Sequence, residues 1–277
     1  MFSIYLLAGL GNQLFQIFTA LAYAIEYKKR LVIPAYKPDI DKRPPYWDTI
    51  FKKLKEGVDP TLMPDKLPKH KEGAFHYTAI PDINTDFILC GYFQSYKYFD
   101  KHYEIILRRL NLKLEQEMIK AQYLTLKNSI SLHFRIGDFS SIQLHHPLIT
   151  DQYYINAIHK IFEMTKKDNW DIIYFCEEKD NLAVKKRLRK IKSHFPNIVF
   201  HKASDELKDW EQLLLMSCSD HNIIANSTFS WWAAYLNQNP NKIVCYPSTW
   251  FGSAYTMHNT KDLFPPTWTK INDFTGI

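Results

Sequence analysis

The feature that most constrains the fold is a regular alternation of short apolar runs with amphipathic segments between residues 130 and 245. Five runs have the length and composition of buried strands: 130–134, 172–176, 198–200, 222–224 and 242–245. The segments between them repeat apolar residues at helical spacing: 152–166, 182–190, 207–217 and 229–237. Strands that alternate with helices run parallel, because each crossover returns the chain to the same edge of the sheet. This half is therefore predicted to be a doubly wound parallel sheet.

A second alternating unit is predicted at the start of the chain. Residues 3–8 are apolar, a glycine turn follows, and a segment with helical spacing leads to a short apolar run at 31–34. A β-α-β unit of this kind requires a crossover helix and therefore parallel strands.

The rest of the first half is less regular. Residues 35–82 are rich in proline and show a helical pattern only at 46–55. Order returns with a strand at 87–92 and helical patterns at 98–110 and 117–126. The alternation restarts near residue 128, which predicts an α/β domain of residues 1–127, an α/β domain of residues 128–250, and a tail of residues 251–277 that packs back on the N-terminal half. The two Rossmann-like halves are expected to face a central cleft.

Charge and cysteine content exclude several classes of protein. The chain has 35 Lys and Arg against 29 Asp and Glu, a net charge of +6. Its densest basic stretch, 185–190, has the spacing of a solvated helix face, so no nucleic-acid partner is expected. The four cysteines are widely spaced, which predicts buried reduced thiols and no structural zinc.

Hydrophobic patterning indicates where the protein works. No apolar stretch reaches the roughly 18 residues that a membrane span needs, and the N-terminus lacks a basic signal region. A cytoplasmic protein without a membrane span is therefore expected, either soluble or peripheral to a membrane.

The turn at Gly9 and Gly11 resembles the first part of a dinucleotide fingerprint. The third glycine is missing, and the second strand does not end in the acidic residue that would hold a ribose, so an NAD site is disfavoured. The turn still brings backbone N–H groups and the amides of Asn12 and Gln13 to the mouth of the first sheet. An ordinary β-α turn with Asn12 as the N-cap explains the same residues, and both interpretations can hold at once.

A sharper motif follows the first strand of the second half. His133 and Arg135 stand two apart on a strand and so share one face near its C-terminal end. Gly137 then lets the chain turn, and Asp138 adds a carboxylate. An arginine at this position can bind a phosphate bidentately, while the alternative is a structural ion pair between Arg135 and Asp138.

The segment after the strand 222–224 opens a helix with polar residues. Free N–H groups of a first helical turn, joined by hydroxyl groups, form a cradle for an anion. Ordinary capping by Asn226 or Ser227 is the alternative, and adjacent tryptophans after the segment more often fill a core than stack on a ligand. The candidate residues of this cradle are Asn226, Ser227, Thr228, Phe229 and Ser230.

Asp205 follows another strand of the second sheet. A carboxylate there can accept both N–H groups of a guanine base, and capping of the helix that starts near Leu207 is the alternative. Arg135, Asp205 and the segment 226–230 all lie at the C-terminal ends of strands. Their convergence suits a nucleotide diphosphate held by an arginine and helix N–H groups, with no metal expected.

Four motifs in this order resemble those of the α-1,2-fucosyltransferases, glycosyltransferase family 11. They are residues 9–16, 91–99, 133–139 and 226–234, which read GLGNQLFQ, GYFQSYKYF, HFRIGDF and NSTFSWWAA. The resemblance spans nearly the whole chain. It implies an α/β fold of GT-B type, GDP-fucose as the donor, a galactose-terminated oligosaccharide as the acceptor, inverting transfer to a galactoside 2-hydroxyl, and no metal or other cofactor.

The resemblance also implies roles for individual residues. Arg135 would hold the donor diphosphate, and His133 and Asp205 would contact the guanosine. Ser227, Thr228 and Phe229 would line the phosphates and ribose, with Asn226 and Ser230 also on the donor side. Gly11, Asn12 and Gln13 would lie on the acceptor side. The family motif usually has a second arginine where this chain has Ile136, and a tyrosine where it has Phe139.

The expected chemistry is a direct displacement. Arg135 and the helix N-terminus would stabilise the departing GDP while the acceptor hydroxyl attacks the anomeric carbon from the opposite side. Asp138 is the first candidate for a general base, and His145 or His146 is the second. A transferase of the same fold with another sugar nucleotide or linkage is an alternative, and a catalytically silent glycan-binding relative is an alternative from another class, prompted by Ile136.

Overall fold

The structure is a computed structural model of the 277-residue chain, and it describes residues 1–35, 46–123 and 128–272. Packing divides the chain into two compact units. Unit 1 comprises Met1–Glu115 and His258–Pro265, and unit 2 comprises Gln116–Met257 and Pro266–Ile277. Both units combine helices with parallel sheets, so the predicted α/β fold class with two halves is confirmed.

Unit 1 is built around one long buried helix and short strands. Its elements are β1 (Phe2–Ile4), α1 (Leu10–Glu26), β2 (Ile33–Pro34), β3 (Val58–Asp59), β4 (Lys69–Lys71), β5 (Phe87–Cys90) and α2 (Tyr103–Leu110). Strands β1, β5 and β4 form a parallel sheet in that order, and β2 pairs in parallel with β3. α1 is apolar on nearly every side, which is typical of a helix buried all round.

Aromatic side chains fill the core between α1 and the sheet. The ring of Phe2 on β1 stacks on that of Phe87 on β5, with centroids 5.6 Å apart, and Tyr23 of α1 meets Phe2 edge-on at 4.9 Å. Burying three such rings removes a large apolar area from water, which fixes α1 against the sheet.

Two predictions for unit 1 need correction. The helix predicted at 46–55 is wrong, because this segment closes i to i+3 hydrogen bonds and forms turns and a 3₁₀ helix at Lys52–Gly57. The short strands β3 and β4 were not predicted, since two or three residues of polar sequence carry no periodicity. The other strands and helices of this unit lie close to their predicted positions.

Unit 2 carries a six-stranded sheet. Its strands are β6 (Ser129–His133), β7 (Asp171–Phe175), β8 (Phe200–Lys202), β9 (His221–Ile223), β10 (Val244–Pro247) and β11 (Thr269–Ile271). The strand order is β11-β10-β9-β6-β7-β8, and every pair in the described residues is parallel. Counted within the unit, this is the order 3-2-1-4-5-6 of the Rossmann fold.

The helices of unit 2 cover both faces of this sheet. They are α4 (Asp151–Thr165), α5 (Asn181–Ser193), α6 (Asp209–Ser217) and α7 (Thr228–Leu236), and α3 (Leu112–Tyr123) spans the division between the units. The doubly wound sheet predicted for this half is confirmed. The strand predicted at 198–200 begins later, at Phe200, because Ile198 and Phe195 close a turn after α5. β11 was not predicted, since it has three residues.

The division between the units differs from the boundary predicted at residue 127. Gln116 of α3 donates hydrogen bonds to Ser217 Oγ (2.7 Å) and Leu236 O (2.9 Å), which tie this part of the helix to unit 2. In the tail, Trp268 packs on Trp231 at 5.3 Å within unit 2, and only His258–Pro265 belongs to unit 1. Residues 124–127 and 273–277, at the predicted boundary and at the end of the tail, lie outside the described residues.

The predicted burial of the cysteines holds for Cys176 and Cys245, while Cys90 and Cys218 are partly exposed. All four cysteines are free thiols. Burial raises the pKa of Cys176 and Cys218 to about 11 and that of Cys245 to about 12, so these thiols are unreactive near neutral pH. None of the helices in the described ranges is long and apolar enough to cross a bilayer.

Candidate functional site

The carboxyl ends of β6 and β9 form the candidate site. These two strands are neighbours, with Leu132 opposite Ile223, and the direction of winding reverses between them. In open α/β sheets, ligands bind at this switch point, outside the carboxyl ends of the strands. Residues 133–138 leave β6 there, and residues 224–228 lead from β9 into α7.

Two tyrosines at the start of α4 fix this edge of the sheet. Tyr153 donates its hydroxyl to Ile224 O (2.6 Å) and Cys245 O (2.9 Å), and Tyr154 donates to His133 O (3.0 Å). Both tyrosines are fully buried, so these bonds are shielded from water. The backbone at the end of the sheet is thus held before any ligand arrives.

His133, a predicted donor-binding residue, ends β6 and is buried, with 6% of its surface exposed. Its Nδ1 atom is buried and finds no hydrogen-bond partner in the described chain. Burial, assisted by the charge of Arg135, lowers the pKa of His133 to about 3, so the ring is neutral at physiological pH. The ring lies 5.5 Å from that of Phe229 at the start of α7, which brings these two predicted site residues together.

Arg135 extends from the same strand and is held by two carboxylates. Nη2 donates to Asp138 Oδ1 at 2.5 Å, and Nη1 donates to Glu177 Oε1. The guanidinium carbon also lies 5.0 Å from the ring centre of Phe139. The Nε atom is buried and lacks a hydrogen-bond partner within the described residues. The ion pair with Asp138 considered from the sequence is therefore present, and it leaves N–H groups of Arg135 for a ligand.

Gly137 explains how the chain turns between Arg135 and Asp138. Its φ is +31°, a conformation that side chains rarely adopt, and a Cβ atom here would lie 2.9 Å from Glu177 Oε1. Its N–H is donated to Asp180 Oδ2 at 2.8 Å, and Asp180 is itself buried. The turn is therefore fixed by the segment that follows the neighbouring strand, β7.

Three polar residues of the segment after β9 are bonded to nearby backbone groups. Asn226 donates to Pro147 O (2.9 Å) and Trp250 O (3.2 Å), while its buried Oδ1 has no partner among the described residues. Ser227 is the N-cap of α7, its hydroxyl accepting from Phe229 N at 3.3 Å. Ser230 is fully buried and donates to backbone carbonyls of its own turn. Capping and core packing therefore account for part of the predicted cradle.

Asp205 lies on the same carboxyl edge, after β8. Its carboxylate accepts from Lys202 Nζ (2.5 Å) and Asn181 Nδ2 (2.9 Å). Burial alone would raise the pKa of Asp205, but these hydrogen bonds outweigh burial and lower it. The alternative that Asp205 caps the next helix is wrong, because α6 starts at Asp209 and its N-cap is Lys208, whose backbone N–H donates to Glu211 Oε2 at 2.8 Å.

The glycine-turn motif of unit 1, residues 9–13, uses its polar side chains for contacts around the turn. Gln13 is fully buried and donates to Ala8 O at 2.9 Å, which supports Ala8 at a left-handed φ of 60°. Asn12 accepts from Gln94 Nε2 at 2.9 Å. The N-cap of α1 is Gly9, so the prediction of Asn12 as the cap is wrong, and Gly11 is buried in the first turn. Of the predicted acceptor-side residues Gly11, Asn12 and Gln13, Asn12 is partly exposed and the other two are buried.

The two histidines considered as bases lie among aromatic rings. His146 stacks on Phe139 with centroids 4.6 Å apart and also lies 5.6 Å from Phe251. His145 meets Tyr255 at 4.9 Å. These contacts join the turn after Arg135 to the segment 250–255 within unit 2.

Sequence reasoning missed Glu177 and Glu72. Glu177 directly follows a predicted strand next to β6, so the rule that selected Arg135 could have found it. Glu72 follows β4, which was not predicted; its Oε2 accepts from Tyr92 N at 2.8 Å, and burial raises its pKa. A Cβ atom on Gly91 would lie 2.5 Å from Glu72 Cβ, so this glycine makes room for the carboxylate.

The strand order of unit 2 is that of a nucleotide-binding α/β fold. Its polar residues lie at the carboxyl edge of the sheet, where such folds bind their ligand. Residues 58–272 match the family model described as Glycosyl transferase family 11. The chain belongs to this family.

Two curated relatives and one solved structure illustrate the similarity. An alpha-1,2-colitosyltransferase of Escherichia coli is 30% identical over 188 residues. The match covers 65% of this chain and 61% of the relative. A galactoside 2-alpha-L-fucosyltransferase of Caenorhabditis elegans is 23% identical over 283 residues, covering 95% of this chain and 77% of the relative. An Arabidopsis thaliana FUT1 mutant in complex with GDP matches with a TM-score of 0.47 and 12% identity, covering 88% of this chain and 70% of that chain.

Proposed function

We propose that the protein is an inverting α-1,2-fucosyltransferase, which moves L-fucose from GDP-fucose to the 2-hydroxyl of a galactoside. Family membership and the Caenorhabditis elegans relative support this reaction. The observation that carries it is the switch point of the six-stranded sheet. There His133, Arg135 and Asn226 each present a buried polar atom without a partner in the described residues. Buried polar groups are normally hydrogen-bonded, so such a cluster favours a polar ligand.

The donor nucleotide would bind at this edge of unit 2. Arg135 would bind the diphosphate, and the first turn of α7, at Thr228 and Phe229, would add the positive end of the helix dipole. His133 would contact the guanosine as a neutral ring. Asp205 would accept from the guanine N–H groups by exchanging its bonds to Lys202 and Asn181.

Asn226, Ser227 and Ser230 would act mainly by shaping the donor site. Their side chains are bonded to backbone groups around the turn, as described above. Each of them therefore fixes the first turn of α7, whose N–H groups would face the phosphates. This assigns them a positioning part in donor binding.

The proposed mechanism is a displacement at the anomeric carbon. Negative charge builds on the GDP leaving group, and the guanidinium of Arg135 stabilises it together with the α7 N-terminus. The acceptor hydroxyl attacks from the opposite face through an oxocarbenium-like state. Asp138 remains the first candidate for the general base and His145 or His146 the second; the bond from Asp138 to Arg135 also allows it to orient the guanidinium.

The proposal includes no metal and assigns the acceptor to unit 1. In the described part of the chain, no group of three or more His, Cys, Asp or Glu side chains is arranged to hold a metal ion. Asn12, with Gly11 and Gln13 shaping the turn beneath it, would contact a galactose-terminated oligosaccharide.

A second candidate is a transferase of the same fold that uses another sugar nucleotide or linkage. The colitosyltransferase relative, at 30% identity, favours it. A glycan-binding protein without turnover is the third candidate. Ile136 favours it, because the fucosyltransferase motif that residues 133–139 resemble usually has an arginine at this position.

One assay separates these functions. Purified protein is incubated with GDP-fucose, GDP-mannose or UDP-galactose and a panel of β-galactosides, and the product linkage is determined. We expect GDP release and an α-1,2 product with GDP-fucose only. Turnover with another donor would support the second candidate, and glycan binding without turnover would support the third.

A further inference from the structure

The guanidinium of Arg135 is bonded to two anionic side chains. Asp138 bonds to Nη2 and Glu177 bonds to Nη1. Each Nη group thus donates to a carboxylate oxygen, which has the same charge and acceptor chemistry as a phosphate oxygen. Other N–H groups of Arg135 are left for a ligand, but a diphosphate that binds bidentately through both Nη groups competes with these carboxylates.

Glu177 differs from a fixed structural carboxylate. Its side chain is 36% exposed, and its second oxygen, Oε2, lies 2.7 Å from Lys179 Nζ. Asp180, three residues further on, is 8% exposed and is bonded to the backbone N–H of Gly137. Glu177 can leave Arg135 without losing all compensation for its charge, because Lys179 stays bonded to it. Asp180 has no such freedom.

Gly137 makes room for the Glu177 carboxylate beside Arg135. A Cβ atom at this position would lie 2.9 Å from Oε1 and 3.3 Å from Cδ. The absence of a side chain thus lets the carboxylate pack against the turn that follows Arg135.

We propose that Glu177 is a displaceable counter-ion that competes with the nucleotide diphosphate for Arg135 and so limits how tightly the nucleotide is held. This inference rests on the proposed function, in which Arg135 binds the donor diphosphate. Without a nucleotide, Glu177 neutralises Arg135 and keeps the guanidinium ordered. When the nucleotide binds, Glu177 leaves Arg135 and keeps its bond to Lys179. After transfer, its return to Arg135 favours the release of GDP.

The test measures nucleotide affinity directly. GDP and inorganic pyrophosphate are titrated into the wild-type protein and the variants Glu177→Gln and Glu178→Gln by calorimetry. Glu177→Gln removes the competing charge, so we expect GDP and pyrophosphate to bind about three- to tenfold more tightly. Glu178→Gln removes the same charge from the adjacent, exposed residue and should stay within about twofold of wild type.

Unchanged or weaker binding to Glu177→Gln overturns the proposal, because a carboxylate that only positions Arg135 would weaken binding when neutralised. Equal tightening in both variants also overturns it, since the effect would then be one of overall charge. If Glu177→Gln does not fold, Glu177→Asp serves instead. Its shorter side chain withdraws from Arg135, so tighter binding is again expected and unchanged binding contradicts the proposal.

Pyrophosphate separates this inference from the proposed donor. If the wild-type protein binds pyrophosphate but prefers UDP or ADP to GDP, the guanine donor is contradicted while the pyrophosphate titrations still decide the role of Glu177. If it binds neither GDP nor pyrophosphate, both the proposed function and the role of Glu177 are contradicted.

Discussion

The carboxyl edges of the two sheets carry similar motifs but use their polar residues differently. In unit 1, Gln13 and Gln94 donate their amides to groups of the same edge, Ala8 O and Asn12 Oδ1. In unit 2, His133, Arg135 and Asn226 each have a buried polar atom without a partner in the described residues, whereas the edge of unit 1 has such an atom in Glu72 Oε1. Burying an unpaired polar atom costs free energy, whereas the bonds in unit 1 stabilise a turn.

Under the proposed function, this difference means that one conspicuous motif supports the fold and the other a ligand. The glycine turn of unit 1 holds Ala8 in a left-handed conformation and the start of a buried helix. The turn of unit 2 holds Arg135 between carboxylates at a topological switch point. We therefore expect substitutions in unit 1 to change mainly stability, and those in unit 2 to change nucleotide binding and transfer.

The largest effect is expected from Arg135→Ala. Loss of the guanidinium removes stabilisation of the leaving diphosphate, so kcat/KM for transfer from GDP-fucose should fall by about 100-fold or more. The matched control is Arg187→Ala. Arg187 bonds to Asp151 and Ile149 and lies over the rings of Phe134 and Tyr154, so its loss should lower stability but not GDP affinity. Equal losses of transfer in both folded variants would rule out a special role for Arg135.

Glycine substitutions compare the two turns. Gly137→Ala places a side chain at a φ of +31° and against Glu177, which should lower the free energy of unfolding by about 1–3 kcal/mol. Gly9→Ala meets no atom within 4 Å and has a φ of −76°, so its cost should stay near about 0.5 kcal/mol. Urea denaturation measures both. A Gly9→Ala variant as unstable as Gly137→Ala would show that the turn of unit 1 is the more constrained.

The pH dependence of stability tests the burial of His133. Its pKa is about 3 in the folded protein against 6.5 for an exposed ring, so between these values the unfolded chain binds more protons. The contribution of the neutral His133 ring to the free energy of unfolding is therefore fully present above pH 6.5. This contribution is lost as the pH falls toward 3, and the loss is about 2 kcal/mol at pH 5.

Replacement of His133 by Asn should reduce the stability difference between pH 7.5 and pH 5 by about this 2 kcal/mol. His221, whose pKa is also lowered by burial, would retain its own contribution. The control is His194→Asn at an exposed position. A His133→Asn variant with the pH dependence of the wild type would mean that the edge of unit 2 is hydrated rather than dry.

Gln13→Leu tests whether the polar residues of unit 1 contribute to stability rather than to nucleotide binding. It leaves Ala8 O without its amide partner, and we expect a loss of about 1–2 kcal/mol in the free energy of unfolding. GDP affinity should be unchanged. A folded Gln13→Leu protein that loses GDP binding would place Gln13 in the donor site and contradict the division of roles.

The smallest effect is expected from chelation. Since the leaving charge is assigned to Arg135 and the N-terminus of α7, addition of EDTA should leave the rate of transfer unchanged within about twofold. A loss of activity that Mg²⁺ or Mn²⁺ restores would contradict a metal-independent reaction.

The sequence predicted the sheet of unit 2 because five of its six strands are apolar runs separated by amphipathic helices. β11 was missed because three residues at the sheet edge carry no periodic signal. In unit 1, β3 and β4 were missed for the same reason, and the segment 46–55 showed a helical pattern although it forms only turns and a 3₁₀ helix.

The candidate site was predictable only in part. The positions of His133 and Arg135 follow from strand periodicity and the rule that ligands bind at carboxyl ends. Their partners do not, because Glu177 is 42 residues from Arg135 and the bond between them depends on the pairing of β6 with β7. The burial of Asn226 and Ser230 was also not predictable, because the sequence pattern of polar residues at a helix start indicates exposed capping residues.

The most direct measurement is a crystal structure of the protein with GDP. We expect the diphosphate within hydrogen-bond distance of the Arg135 guanidinium and the first-turn N–H groups of α7, with the base near His133 and Asp205. A nucleotide bound at the carboxyl edge of β1, β5 and β4, or one that leaves Arg135 bonded only to Asp138 and Glu177, would contradict this assignment.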